Sequence, residues 1–250
     1  MCLIFVVLNQ DAHFPVIIAA NRDEFYDRPT QKAEFWPECP TLLAGRDEQA
    51  GGTWLGITKE GRFAAVTNYR EPENNNAPRI SRGHIVKELL MNDQASPIIE
   101  NNPHTYAGFN CIFGQINKPL HYFSNRYPQK LVLTTGIHGL SNAHINSAWP
   151  KITSGKQAIS SLLQQDFNLD AWMLMLRDTQ TAPDHELPDT GIGIEKERLL
   201  SPRFIASNEY GTRCSTVITV SHDQKVTFTE DSFNPAGNTE RTQFSFRIDT

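Results

Sequence analysis

The sequence has few cysteines, and they are far apart. Cys2, Cys39, Cys111 and Cys214 form no CxxC pair and have no Cys/His spacing of the kind that binds zinc. We therefore expect neither a metal site nor a disulfide framework.

Long apolar runs and basic blocks are also lacking. The N-terminal apolar run at residues 3–8 is too short to span a bilayer, and it lacks the charged leader and cleavage site of a secretory signal. The formal net charge is only -5 and the basic residues are dispersed, so there is no electrostatic footprint for nucleic acid. These features predict a cytoplasmic protein with no transmembrane segment and no nucleic-acid partner.

The chain is long enough to bury a substantial core. It has 250 residues, of which 39% are hydrophobic and 10% aromatic, a composition typical of a folded globular protein. No internal repeat or change of composition marks a boundary. We predict a single domain over residues 1–250.

Short β-branched runs separated by polar turns dominate the pattern. Residues 2–8 and 15–20 predict a hairpin buried on both faces. Further strands are predicted at residues 53–58, 62–67, 106–116, 120–124, 131–135, 214–220, 225–229 and 243–248. Helices are predicted at residues 81–91, from 153 or 154 to 163, and at 169–177, with a turn at 136–141 and loops at 27–52, 71–78 and 179–198. This order favours an α+β sandwich in which sheets stack and helices cover the outside.

Polar side chains follow several of these strands directly. Arg22 and Asp23 end the second strand, Asn68 ends a later one, Asn142 follows a turn, and Arg213 precedes a buried strand. Ends of strands commonly present functional groups.

The position of Cys2 suggests what these groups would serve. Removal of Met1 would give Cys2 a thiol nucleophile and an α-amine that acts as a general base near neutral pH. A nearby arginine favours the thiolate, an aspartate holds the amine, and asparagine amides stabilise an oxyanion. The alternative is that Cys2 merely begins a buried strand, the asparagines cap turns, and Arg22 and Asp23 form surface pairs.

Cys2 and five ordered motifs carry a resemblance to a known family. The motifs are ANRDE at 20–24, GTWLG at 52–56, VTNYR at 66–70, LSN at 140–142 and YGTRCST at 210–216. Together they resemble the NRDE family, also known as the transport and Golgi organisation protein 2 family, over nearly the whole chain.

The resemblance implies a fold and a set of site residues. The family is similar to the N-terminal-nucleophile hydrolases, which have a four-layer αββα fold and whose penicillin V acylase and bile salt hydrolase branch begins with cysteine. It implies Cys2 as nucleophile and base, Asn68 and Asn142 near the oxyanion hole, Arg22 and Asp23 supporting the thiol and amine, and Arg213 as a downstream arginine. In that branch the arginine and aspartate are separated, whereas here they are adjacent. The implied reaction is cleavage of a linear amide of a small hydrophobic metabolite, with no cofactor required.

The same resemblance implies a second class of function, because members of the family are associated with haem trafficking, acyl-lipid metabolism and Golgi organisation. A haem or acyl-lipid carrier would use the same scaffold without turnover. Haem needs an apolar slot and usually one axial ligand. The eight histidines form no haem-attachment pattern, and residues 27–52, with Phe35 and Trp36, are the candidate lining. A purely scaffolding role is the third alternative.

Overall fold

A computed structural model of the chain describes residues 2–72, 80–92, 94–234 and 239–249. Within these ranges, the strands in chain order are β1 (Cys2–Leu8), β2 (Val16–Phe25), β3 (Thr30–Trp36), β4 (Cys39–Asp47), β5 (Leu55–Thr58), β6 (Arg62–Asn68), β7 (Phe109–Gln115), β8 (His121–Ser124), β9 (Tyr127–Val132), β10 (Gly136–Leu140), β11 (Tyr210–Val220), β12 (Lys225–Phe233) and β13 (Thr239–Arg247). The α-helices are α1 (Gly83–Met91), α2 (Ala95–Asn101), α3 (Pro150–Leu162), α4 (Leu169–Leu176) and α5 (Ile194–Leu199).

The described strands form two antiparallel sheets. The first sheet has the order β10-β1-β2-β11-β12-β13, and the second has the order β3-β4-β5-β6-β7-β8-β9. The chain therefore leaves the first sheet after β2, builds the second sheet, and returns through β10 to pair beside β1.

Three apolar clusters separate four layers. Ile4 and Val6 of β1 face the second sheet and pack in the cluster between the sheets. Their neighbours Leu3, Phe5 and Val7 face the opposite way, against α3 and α4, as the two-residue period of a strand requires. A third cluster holds α1 and α2 on the outer face of the second sheet. The predicted α+β fold is confirmed, and its layers are αββα.

Several predicted loops contain regular structure. β3 and β4 occupy the predicted loop at residues 27–52. β3 was not predicted because it is an edge strand with mostly half-exposed, polar side chains. In β4 the apolar run from Leu42 to Ala44 has only three residues. The predicted turn at 136–141 is strand β10, and α5 lies within the predicted loop at 179–198.

The helix boundaries also differ from the predictions. α3 begins at Pro150 rather than at residue 153 or 154, because proline fits the first helical position, where its missing N–H is not needed. α2 was not predicted. Most of the predicted loop at 71–78 lies outside the described residues, as does Met1. In the part of the chain that the structure describes, no helix is both long enough and apolar enough to cross a membrane.

Candidate active site

A cavity of about 550 Å³ opens beside the start of β1. Its wall is built from the ends of β2, β4 and β11, from β12, and from the residues that begin α1. Of the residues singled out from the sequence, the cavity lining includes Cys2, Arg22, Asp23, Asn68 and Arg213. Strands distant in sequence thus bring these five side chains to one place.

Cys2 lies at the edge of this cavity and is only 8% exposed. Burial raises the pKa of its thiol, and the Asp23 carboxylate acts in the same direction. The Arg22 guanidinium and the main chain of Asp23 oppose that rise in pKa because they stabilise the thiolate. The site therefore needs a base or a nearby cation to activate Cys2.

Arg22 also lines the cavity. In the sheet it is the direct partner of Cys2 on one side and of Cys214 on the other. Its Nη1 donates to Thr30 Oγ1 at 2.7 Å, and its Nη2 is 3.8 Å from Asp47 Oδ2. These contacts hold a cation beside both thiols.

Asp23 is almost fully buried beside Arg22. Its Oδ1 accepts a hydrogen bond of 2.8 Å from Thr212, and its main-chain carbonyl accepts one of 3.0 Å from the Tyr210 hydroxyl. Burial raises the pKa of the Asp23 carboxyl, whereas the charge of Lys151 lowers it. Lys151 is itself buried, which lowers the pKa of its amine to about 8, and its Nζ donates to the Leu200 carbonyl.

Asn68 and Asn142 are joined but have different surroundings. The Asn68 side chain lines the cavity and has no hydrogen-bond partner among the described residues. Asn142 is fully buried and is not part of the cavity lining. Its Nδ2 donates to the Asn68 carbonyl at 2.9 Å, and its Oδ1 accepts from Ser141 Oγ, which also donates to the Cys2 carbonyl.

Arg213 is the extra residue of a β-bulge. The register of β11 against β2 shifts between Thr212 and Cys214, which leaves Arg213 unpaired in the ladder and turns it toward the cavity. Its Nη1 donates to the carbonyls of Phe25 and Arg28 at 2.8 and 2.9 Å.

Three residues in or beside the cavity were not predicted from the sequence to belong to the site. Arg82 lines the cavity from the start of α1, where the only signal was a capping serine beside it. Glu230 is a buried carboxylate that accepts from Ala33 N and Thr216 Oγ1, and Lys151 reads from the sequence as an ordinary surface lysine.

The family of the chain follows from comparison with known sequences. The model of the family described as "Transport and Golgi organisation 2" matches residues 1–235. The chain belongs to this family. The Transport and Golgi organization 2 homolog of Mus musculus is 35% identical over 93% of both chains, and the bovine homolog (Bos taurus) is 36% identical over 99% of both.

Two solved structures of N-terminal-nucleophile hydrolases resemble the chain. A Caenorhabditis elegans ortholog of N-acylethanolamine-hydrolyzing acid amidase superposes with a TM-score of 0.53 over 87% of this chain and 92% of that chain, at 11% identity. A mutant of the conjugated bile acid hydrolase of Clostridium perfringens gives a TM-score of 0.51 over 99% of this chain and 98% of that chain, at 8% identity. At these identities the likeness establishes the fold: this family member has an N-terminal-nucleophile-hydrolase-like fold.

Cysteine is the axial haem ligand that the described lining of the cavity offers. Among the described residues, its lining contains no histidine, methionine or tyrosine, and its sulfur atoms are those of Cys2 and Cys214. Phe35 packs against Phe244 and Phe246, and Trp36 is buried in the outer core. The two aromatics expected to line a haem slot are therefore used in packing.

Proposed function

We propose that this protein is a cysteine-type amidohydrolase in which Cys2, exposed as the first residue by loss of Met1, cleaves a linear amide. The observation that supports this most strongly is that Cys2 shares one cavity with the Arg22 guanidinium and with the Asn68 side chain, which has no hydrogen-bond partner in the described part of the chain. A thiol, a cation beside it and a free amide donor are the groups that nucleophilic acyl transfer requires.

In the proposed first half-reaction, the Cys2 sulfur attacks the amide carbonyl carbon while its proton passes to the α-amine of the same residue. The carbonyl oxygen becomes an oxyanion, which the Asn68 side-chain amide stabilises. When the tetrahedral intermediate collapses, the C–N bond breaks, the ammonium gives its proton to the leaving amine, and a thioester remains on Cys2.

In the second half-reaction, the free α-amine takes a proton from water as the water attacks the thioester. The C–S bond breaks, the acid leaves, and the proton returns to the sulfur. Asp23, whose carboxylate acts on Cys2 from a buried position, holds the amine in place and stabilises its charged form.

Asn142 has a different role in this proposal from the one that the family resemblance implies. Because its amide is bound to the Asn68 carbonyl and to Ser141, it positions Asn68 and does not itself face the cavity. It is a positioning residue for the oxyanion donor.

The test is turnover of acyl p-nitroanilides by protein whose loss of Met1 has been checked by intact mass. Release of p-nitroaniline by the wild type and its loss in Cys2→Ala would support the proposal. The matched control is a glycine inserted between Met1 and Cys2, which keeps the thiol but moves the α-amine to another residue. Equal turnover by the inserted variant, or by protein that retains Met1, would contradict the proposal.

A further inference from the structure

In the part of the chain that the structure describes, two arginines of the cavity contact no carboxylate. Among the described residues, Arg82 makes one hydrogen bond, from Nη1 to the Gly108 carbonyl at 3.2 Å, and Arg213 binds the two carbonyls of Phe25 and Arg28. Other arginines of the chain are paired: Arg203 with Asp178 and Arg126 with Glu71. Both unpaired guanidiniums line the cavity that contains Cys2.

Other charged side chains of the cavity have partners of their own. Lys32 pairs with Glu240, and Arg46 pairs with Glu38 at 2.7 Å. The buried Glu230 carboxylate accepts hydrogen bonds from the neutral donors Ala33 N and Thr216 Oγ1, and the Asp23 carboxylate accepts one from Thr212.

Carboxylates contact only two of the four arginines that line the cavity around Cys2, among the described residues. The four are Arg22, Arg28, Arg82 and Arg213. Asp47 is shared by Arg22 and Arg28, and Glu24 lies 3.9 Å from Arg28. The guanidiniums of Arg82 and Arg213 are the two that no carboxylate contacts in these ranges.

Two further features favour an anion at this position. The first turn of α1 contains no acidic residue, and its positive N-terminal end contributes Ser81, Arg82 and Gly83 to the lining. Burial lowers the pKa of both the Arg82 and the Arg213 guanidinium, because a cation removed from water loses its hydration.

We propose that Arg82 and Arg213 bind a compact dianion, either a phosphate monoester or a dicarboxylate, carried by the molecule whose carbonyl meets Cys2. Trp54, Val66 and Phe233 line the same cavity and offer an apolar surface to the rest of that molecule. The placement of its carbonyl rests on the proposed function, whereas binding of the dianion does not.

The reactivity of the Cys2 thiol toward charged and neutral reagents reports the positive charge of Arg82 and Arg213. The rates at which iodoacetate and iodoacetamide alkylate Cys2 are measured by peptide mass spectrometry, and the iodoacetate rate is divided by the iodoacetamide rate. This ratio is then normalised by the same ratio for N-acetylcysteine amide. A unit charge about 6 Å away changes the rate of reaction with an anion by about threefold in a water-like environment. We expect the normalised ratio to exceed one and to fall about threefold in Arg82→Gln and in Arg213→Gln.

Two controls separate a binding site from a general effect of charge. Arg247, the last residue of β13, forms an exposed ion pair with Asp223. Arg247→Gln removes one positive charge there and should leave the ratio unchanged. Arg82→Lys and Arg213→Lys keep the charge and should preserve the ratio even where they lower stability. A ratio near one in the wild type, or the same ratio in the glutamine variants, overturns the proposal.

The chemical class of the anion is tested by how well candidate anions protect Cys2 from alkylation at constant ionic strength. Phenyl phosphate and succinate are each titrated against alkylation of Cys2 by iodoacetamide, with benzyl alcohol as the neutral probe. Saturable protection by phenyl phosphate identifies the phosphate monoester, and protection by succinate identifies the dicarboxylate. Protection by neither, or equal protection by benzyl alcohol, overturns the proposal. Because alkylation requires no turnover, a protein that fails to hydrolyse amides but shows this protection refutes only the proposed function.

Discussion

Cys2 and Arg22 are direct partners across β1 and β2, and their side chains lie on the same face of the first sheet. Arg22 also faces Cys214 across β11, so one guanidinium lies between two buried thiols. Its charge opposes the rise in the pKa of Cys2 that burial causes. The reactivity of Cys2 therefore depends on a neighbour that the antiparallel register fixes.

The first prediction concerns this pair. Arg22→Gln removes the positive charge that stabilises the thiolate, so the pKa of Cys2 rises and alkylation at neutral pH slows. The pH profile of alkylation by the neutral reagent iodoacetamide should move to higher pH, and Arg22→Lys should restore much of the original profile. An unchanged profile in Arg22→Gln would show that the α-amine alone controls the thiol.

The second prediction concerns the oxyanion donor. Asn68→Ala should lower kcat by about 10²- to 10³-fold, because a preorganised donor acts mainly in the transition state. KM and the melting temperature should change little, since the Asn68 side chain makes no hydrogen bond within the described residues. A change in KM with no change in kcat would assign Asn68 to ground-state binding.

Asn142 should respond differently. Asn142→Ala removes the amide that donates to the Asn68 carbonyl and one of the two acceptors of the Ser141 hydroxyl, at a cost of about 1–3 kcal/mol. We expect a lower free energy of unfolding in urea together with a lower kcat, because Asn68 is no longer fixed. Full stability with reduced kcat would instead indicate that Asn142 contacts the substrate.

Lys151 gives a prediction of stability against pH. Its pKa is lowered to about 8 by burial, from an ordinary value near 10.4 in the unfolded chain. Between these two pH values the unfolded state binds one proton more than the native state, so this group makes stability increase as the pH rises. Below pH 8 both states are protonated, and the burial cost is present in full.

The measurement is urea unfolding of the wild type and of Lys151→Met at intervals from pH 7.5 to 9.5. The difference between the two stabilities should change in favour of the wild type as the pH rises above 8. Staying below pH 10 avoids the tyrosines, four of which have a raised pKa in the folded protein: Tyr26, Tyr106, Tyr122 and Tyr210. A constant difference across this range would mean that Lys151 is not titrating there.

The sequence was most informative where local pattern and tertiary structure agree. The hairpin of β1 and β2 is apolar on both faces because it lies between the other sheet and the helices. Its polar end, with Arg22 and Asp23, reaches the cavity as expected for a strand end. For Asn142 the sequence was less informative, because the motif does not show that the Asn142 amide donates to the Asn68 carbonyl.

Arg82, Lys151 and β3 could not be predicted because their surroundings come from distant segments. That no carboxylate contacts Arg82 within the described ranges becomes visible only when the ion pairs of the neighbouring strands are known. Lys151 is buried, donates to the Leu200 carbonyl and interacts with the charge of Asp23. The alternation in β3 is weak because one of its edges has no partner strand among the described residues.

Gly52 provides a test of how the start of α1 is placed. A Cβ at Gly52 would lie 2.6 Å from the Gly83 carbonyl carbon, so Gly52→Ala must displace the residues that carry Arg82. We expect a loss of about 1–3 kcal/mol of stability and a smaller preference of Cys2 for iodoacetate. Gly155→Ala is the matched control, because its Cβ would meet the Phe5 ring at 2.2 Å on the helix side of β1. It should lower stability without changing that preference.

The most direct test of the central claim is the mass of the protein quenched in acid during turnover of an acyl amide. Cys2 acting as an N-terminal nucleophile predicts a species that lacks Met1 and has gained one acyl group, which peptide analysis places on Cys2 as a thioester sensitive to hydroxylamine. Hydrolysis by protein that retains Met1, or an acyl group located on Cys39, Cys111 or Cys214, would contradict it.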